Sequence, residues 1–437
     1  MTSLLRNVAA LIAAMTILQL SSGLLGVRLP LAVAADGLSS TALGLIAASY
    51  SAGFMMGATI ATTLLARVGH IRVYAACAAV FAAATLALHF THDIWAWGLA
   101  RMVAGVGVAL LFAVIESWLS SSVGQGARGE VMSVYMVVTK ASLAIGPFLA
   151  FSYEVDAPEP WMIAAGIAAL SMLPVCFTAT REPEPPKAQP LALVEQFATA
   201  PAAVIACFGA GLVNSGVLTL APLYAAQHYG AAAATEFYAA AWIGSLLLQW
   251  PAGRWSDRVD RRLIVLALTA IAAITAFVLA AFGGAMSRYA AVATFFLWGA
   301  GALSFYGIAV AHMADRADPT RMAQSAAGLL FVWAGGSIVG PILQGPIVDW
   351  FGVEGMFWFA GAGAALVSLA MVWRRGAREA PPRTEKEGFT NQPATSIAAA
   401  EIAYGDAADR DSARDPGREF VRADEADIDA QSKPGAS

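Results

Sequence analysis

"QWPAGRWSDRVDRRL", residues 249–263, sets four arginines and two aspartates among fifteen positions, between two long apolar runs. The whole chain is 58% hydrophobic and only 13% charged, where an ordinary soluble domain is about a quarter charged, so a knot this dense has to be explained. The flanking runs, 236–253 and 263–284, are each long enough to cross a hydrocarbon core of about 30 Å as a helix. The knot then reads as the water-facing loop between two membrane spans.

Working outward, the same criterion gives twelve spans: 8–32, 41–65, 72–90, 95–118, 131–152, 161–179, 201–227, 236–253, 263–284, 289–313, 323–349 and 355–373. The runs lack the period-two alternation of barrel strands, so the expected fold is an all-α integral membrane protein. "AVAA" at 32–35 resembles a signal cleavage site, but the run beginning at Val8 is longer than a signal core and many similar runs follow it. It is read as span 1. Cys77, Cys176 and Cys207 lie singly inside apolar runs, which suggests small packing residues rather than a disulfide or metal site.

Basic residues orient the spans. Arg6, Arg67, Arg72, Arg128, Arg181, Lys187, Arg254, Arg258, Arg261, Arg262, Arg316, Arg321, Arg374, Arg375 and Arg378 fall on one side, and only Arg288 on the other. Both termini are therefore expected in the cytoplasm, with the chain in a bacterial inner membrane. Beyond Ala377 the apolar pattern stops and an acidic tail, 377–437, begins. It cannot bury enough apolar surface to fold alone and reads either as solvated chain or as a regulatory docking tail.

The chain also repeats itself. "AGVGVAL" at 104–110 faces "WGAGALS" at 298–304, and Gly146-Pro147 faces Gly340-Pro341 at the same offset, while "SSG" at 21–23 matches "NSG" at 214–216. This implies two six-span bundles, 1–180 and 201–376, joined by a cytoplasmic linker, 181–200. Because each unit has an even number of spans, the repeats are parallel about an axis along the membrane normal. Transporters are commonly built so, with a site between the halves.

At this point the residues resemble a family. "GRWSDRVDRR", 253–262, is similar to the loop motif of the major facilitator superfamily (MFS): Gly, three residues, an acid, a base, one residue, a position commonly held by Gly, then basic residues. Asp260 occupies that second Gly position. Gly253 lets the helix end approach its neighbour, Asp257 can accept hydrogen bonds from arginines, and Arg258, Arg261 and Arg262 hold the cytoplasmic face, so the segment reads as a conformational latch. Simple positive-inside anchoring explains the arginines as well. The first-half copy, "TTLLARVGHIR" at 62–72, keeps Arg67, Gly69 and Arg72 but has Thr62 and Ala66 where the Gly and acid would stand. "RMVAGVG" at 101–107 resembles the family's fourth-span motif, "QWPAGR" and "ESWL" resemble its YcaD-like branch, and "GGSIVGPILQG" at 335–345 resembles a glycine-proline motif of exchangers. The resemblance implies alternating access, with spans 1, 4, 7 and 10 lining the cavity.

Charges at membrane depth are functional candidates because desolvating them costs several kcal/mol. Arg28, Arg101 and Lys140 are three such cations with no acid at matching depth, which tilts the cavity toward neutral or anionic solutes. Glu116, fifteen residues after Arg101, is about 22 Å further along the same helix and cannot touch it. It is expected to pair with Arg67 or Arg72, or to couple protons; Asp315 would pair similarly with Arg258 or Arg261. Gln19, Ser22, Asn214, Tyr224, Tyr306 and His312 complete the expected cavity, although each equally suits interhelical packing.

The expected function is secondary transport of a small organic solute by a monomer in the lipid bilayer, coupled to an ion, the proton. Multidrug or metabolite efflux by proton antiport is the alternative, and a transporter-like sensor acting through the tail is another. Nothing resembles a nucleotide-binding loop, a catalytic cluster, a metal site or a nucleic-acid surface, so neither enzyme activity nor a cofactor is expected.

Overall fold

The computed structural model describes residues 2–123, 128–178, 182–183, 193–318, 321–377 and 389. Twelve helices are long and apolar enough to cross a membrane. They are spans 1 to 12 in order: Val8–Ala35, Ser40–Val68, His70–Ala87, Ile94–Leu119, Glu130–Ala150, Glu159–Cys176, Pro201–Tyr229, Ala231–Arg258, Arg261–Ala285, Arg288–Ala314, Gln324–Phe351 and Gly355–Gly376. No strand occurs among the described residues. Of the expected linker, Leu193–Thr199 is a short helix. Most of the rest of it, and all of the tail after Ala377 except Phe389, lie outside the described residues.

Local chemistry sets the helix ends. Ser39, Asp93, Asp260 and Ser287 each place a side-chain oxygen on a first-turn N–H of spans 2, 4, 9 and 10, satisfying donors that the helix itself cannot. Spans 2, 7 and 11 stop at Gly69, Gly230 and Gly352, whose φ values of 89°, 87° and 84° suit a residue without Cβ.

Two parallel six-helix bundles result. Within them span 2 packs on 4 and span 8 on 10; between them span 2 meets 11, span 5 meets 8 and span 1 meets 7. Lipid offers no hydrophobic gain for helix association, so close backbone approach has to supply it. Gly146 on span 5 lies against the Leu20 carbonyl of span 1, and Gly340 on span 11 against the Leu212 carbonyl of span 7. A Cβ at either would overlap that backbone, so the sequence repeat corresponds to matching contacts. Large apolar side chains such as Leu247, Ile274 and Leu366 are exposed outward, where lipid lies. Cys77 and Cys207 are buried as expected; Cys176 is instead exposed, because it sits in the last turn of span 6.

Besides the 3-10 turn at Gly283–Ala285 that closes span 9, three spans change helix type or break. Span 5 tightens into a 3-10 turn at Gly146–Ala150, span 6 breaks at Ser171, and span 10 stops at Ala302 and resumes at Phe305. The last break matters most, because it lies beside the central cavity. We call the face carrying both ends of the span array the terminal face, and the opposite one the far face.

Candidate functional site

A cavity of about 390 Å³ lies between the bundles. Spans 1 to 6 contribute Gln19, Ser22, Tyr50, Phe54, Arg101 and Lys140 to its wall, and spans 7 to 12 contribute Asn214, Trp242, Gln249, Tyr306, Trp333 and Ser337. Spans 2, 5, 8 and 11 thus line it alongside 1, 4, 7 and 10, which widens the expectation drawn from the resemblance. No Asp or Glu is in the wall among the described residues, so two cations face the cavity without an acid.

The two cations are held differently. The Lys140 ammonium crosses from span 5 to span 8 and donates to the Ser245 hydroxyl at 2.6 Å and to Gln249 Oε1. The Arg101 guanidinium lies over the Tyr50 ring, 4.1 Å from its centroid, and its Nε is buried without a hydrogen-bond partner.

The break in span 10 frees backbone carbonyls, which is tolerable at membrane depth only where something else satisfies them. Asn214 Nδ2 donates to Ala302 O at 2.7 Å, and the Ser245 hydroxyl to Leu303 O at 3.2 Å. Asn214 Oδ1 and Ser337 Oγ remain buried without partners. Lys140, Ser245 and the opened turn therefore form one polar chain across the bundle interface.

Three expected cavity residues lie elsewhere. Arg28 is two residues past Gly26, which faces the cavity, and so points about 200° around the helix from it. Its guanidinium donates to the Glu154 and Ala157 carbonyls, both at 2.6 Å, tying span 1 to the loop before span 6. Tyr224 lies about 80° around span 7 from Asn214. It faces Phe357 and His228, at ring distances of 4.8 and 4.7 Å, and donates to Leu279 O. His312 follows the restart of span 10 and is buried at the terminal face beside Arg262, Arg316 and Asp260.

The arginine knot also differs in detail. Arg261, 1% exposed, grips Asp315 with two parallel bonds of 2.7 and 3.0 Å and reaches Asp257 at 3.1 Å and Ser256 at 3.0 Å. The expected pairing of Asp315 is thus formed with Arg261, while Arg258 is exposed. Asp260 caps span 9 and binds Arg262, which also donates to Arg374 O at 2.7 Å. Burial works to raise the Asp260 carboxyl, but the hydrogen bonds and charge of Arg262 hold it below the usual carboxylate range. Glu116 is fully buried and accepts from the Tyr135 hydroxyl at 3.0 Å. Arg67 and Arg72 are exposed, and neither forms the expected ion pair with it among the described residues. At Gly253, the residue in contact is Phe389 of the tail: its ring fills the space a Cβ would need, and its N–H donates to Asp257 Oδ1 at 2.9 Å.

Sequence reading missed Tyr50, Ser245, Gln249 and Ser337. Ser245 and Gln249 are four residues apart, hence on one helix face, and that spacing of polar residues in an apolar run was the available signal.

The Major Facilitator Superfamily model matches residues 11–333 and 232–410. A protein of Escherichia coli O7:K1 named "Uncharacterized MFS-type transporter YcaD" is 27% identical over 389 residues, covering 87% of this chain and 99% of the relative. Among solved structures, the nucleoside transporter NupG matches with a TM-score of 0.66 at 13% identity, over 84% of this chain and 98% of that one. A D-xylose-proton symporter matches with a TM-score of 0.65 at 16% identity, over 87% and 99%.

Proposed function

The chain belongs to the major facilitator superfamily, and from that premise we propose that it carries a small organic solute, neutral or anionic, across the membrane by alternating access, coupled to protons. One observation carries the reading. A cavity lined from both bundles, holding two cations and no acid among the described residues, sits where a rocking motion of the bundles would expose it to either side.

Several features support the finer points. Contacts between spans 2 and 11 close the far face: Asp349 of span 11 accepts from Ser40 N and Thr41 N of span 2 at 2.8 and 2.9 Å, and Gly44 and Gly345 bring the two backbones together there, against Pro341 O and Ser40 O. With the terminal face in the cytoplasm, as the arginine distribution favours, this is an inward-facing arrangement. The acceptors that hold Lys140, Ser245 and Gln249, are uncharged, so it can give up a proton without stranding a carboxylate; a proton symporter is also among the structural neighbours. The bundles are taken as 1–180 and 201–376, with 181–200 as linker and 377–437 as tail. One copy contains a complete cavity, so a monomer suffices, in a bacterial inner membrane.

The test is flux in proteoliposomes containing a pH-sensitive dye, with solutes added one at a time under an imposed pH gradient. Solute entry with matching proton movement supports the proposal. Solute movement that ignores the gradient removes proton coupling, and absence of movement for every solute that binds removes transport. Deleting residues 380–437 separates the sensor reading: a transporter keeps its flux without the tail.

A further inference from the structure

We propose that the transported solute is a small organic anion whose acidic group docks on Arg101 and whose other end donates a hydrogen bond to Asn214 Oδ1. This rests on the transport reading above and narrows its substrate.

Arg101 and Lys140 both face the cavity, but only one is available. An ammonium has three donors, and two of those on Lys140 go to Ser245 and Gln249. A guanidinium has five donors, all in its own plane. In Arg101 the flat face rests on Tyr50, which uses none of them, and the buried Nε has no partner. Stacking and bidentate bonding are compatible because they use perpendicular directions of the same group. A charge desolvated in this way, with no acid in the surrounding wall, is incomplete until an anion arrives. Planar carboxylates fit the guanidinium fork best.

The opposite bundle supplies the second contact. Asn214 lines the cavity; its amide nitrogen is fixed by Ala302 O, and its buried oxygen is an acceptor with no donor among the described residues. A hydroxyl or amine on the solute fills that need. Between the ends, Phe54 and Trp333, in edge contact across the bundle interface, offer an apolar wall. A cavity of about 390 Å³ is at the small end of the range of roughly 300–1,000 Å³ typical of ligand pockets, so the solute is compact. Because Arg101 belongs to the first bundle and Asn214 to the second, such a solute bridges them.

The test uses the full chain in detergent and three hydroxy-acids, 4-hydroxyphenylacetate, 4-hydroxycinnamate and 3-hydroxyoctanoate, each paired with its primary amide and its deoxy counterpart. Binding is read from thermal stabilisation and tryptophan quenching. At least one acid should bind about tenfold or more tighter than its amide, since bonds to a charged group are worth well over one kT. Arg101→Gln should remove that preference, Arg101→Lys restore part of it, and Asn214→Ala weaken the hydroxy-acid while sparing the deoxy form. Arg101→Met is the second variant; relieved of a cavity charge with no acid in the wall, it should be at least as heat-stable as the parent without ligand. Amides binding as well as acids would overturn the anion assignment and leave transport of a neutral solute standing. Binding of none of the acids, or acid preference surviving in Arg101→Gln and Arg101→Met, would overturn it too, whereas the transport reading is judged separately by the flux assay.

Discussion

The pair Arg261–Asp315 should dominate the stability of the terminal face, and Asp257, the acid that stands in the family's loop motif, should matter far less. Both side chains of the first pair are 1% exposed and joined by two bonds, while Asp257 is 34% exposed and gives Arg261 one. Removing one partner of a buried ion pair costs about 3–5 kcal/mol because the other charge is left without compensation. Asp257 and Ser256 still reach Arg261, so Asp315→Asn belongs at the low end, about 3 kcal/mol. Asp257→Asn loses a half-solvated contact, worth no more than about 1 kcal/mol. Unfolding in mixed detergent micelles, followed by helical circular dichroism, measures both. Replacing the pair together, Arg261→Met with Asp315→Leu, should recover most of the loss, since apolar residues of similar size remove both buried charges. Equal costs for the two aspartate variants, or a larger one for Asp257→Asn, would refute the ranking by burial and geometry.

Other consequences are sharp enough to measure. Asp260 has a folded-state pKa below its unfolded value of about 3.9, so its contribution is complete above that value and is lost as pH falls through the folded one; Asp260→Asn keeps the cap and should flatten the acid limb of a stability–pH profile below about pH 4. Asp349→Ala removes the bonds to Ser40 and Thr41, and spin labels at the far ends of spans 2 and 11 should show a larger separated population, an unchanged distribution counting against a gate there. Gly253→Leu should expel the Phe389 ring and make the peptide bonds around it more sensitive to protease, with Phe389→Ala doing the same at an intact Gly253. Arg28→Gln should lower thermal stability by unpinning the loop at Glu154 and Ala157 while leaving solute affinity unchanged, the opposite of the pattern expected for a cavity residue.

What the sequence made legible was whatever depends on composition along a single helix. Span number follows from apolar run length, and all twelve expected spans have a matching helix. The pairing of Asp315 with an arginine of the knot was legible because both stand at helix ends on the same face. Depth within a span was legible too, and it raised Arg101 and Lys140, which both face the cavity. Azimuth was not. Arg28, Tyr224 and His312 have the right depth or the right span but the wrong direction, and direction depends on how each helix is rotated against its neighbours. Interruptions hide as well: Leu303 and Ser304 are ordinary letters, yet span 10 stops before them at Ala302 and resumes after them at Phe305. Glu116 is a different case: its carboxylate is fully buried and accepts from Tyr135, while the two arginines named for it, Arg67 and Arg72, are exposed and form no ion pair with it among the described residues.

The asymmetry between the two bundles follows from the same physics. In the second bundle the loop acid Asp257 and the span acid Asp315 share Arg261, and the substituted position Asp260 adds a further acid for Arg262, so the terminal face there is cross-linked by charge. The first bundle lost its loop acid at Ala66, and there Glu182 instead meets the first N–H groups of span 3, at 3.3 Å from both His70 N and Ile71 N. One half is stapled through buried arginine, the other through backbone. Contacts that join the halves are of another kind: a carboxylate on a helix N-terminus, one ammonium on two neutral acceptors, and an aromatic edge. Each can be broken without leaving an unpaired acid in the membrane. Buried charge pairs thus hold the terminal face of the second bundle and backbone contacts that of the first, while weaker, replaceable contacts sit at the interface, a division that suits the proposed rocking of the bundles.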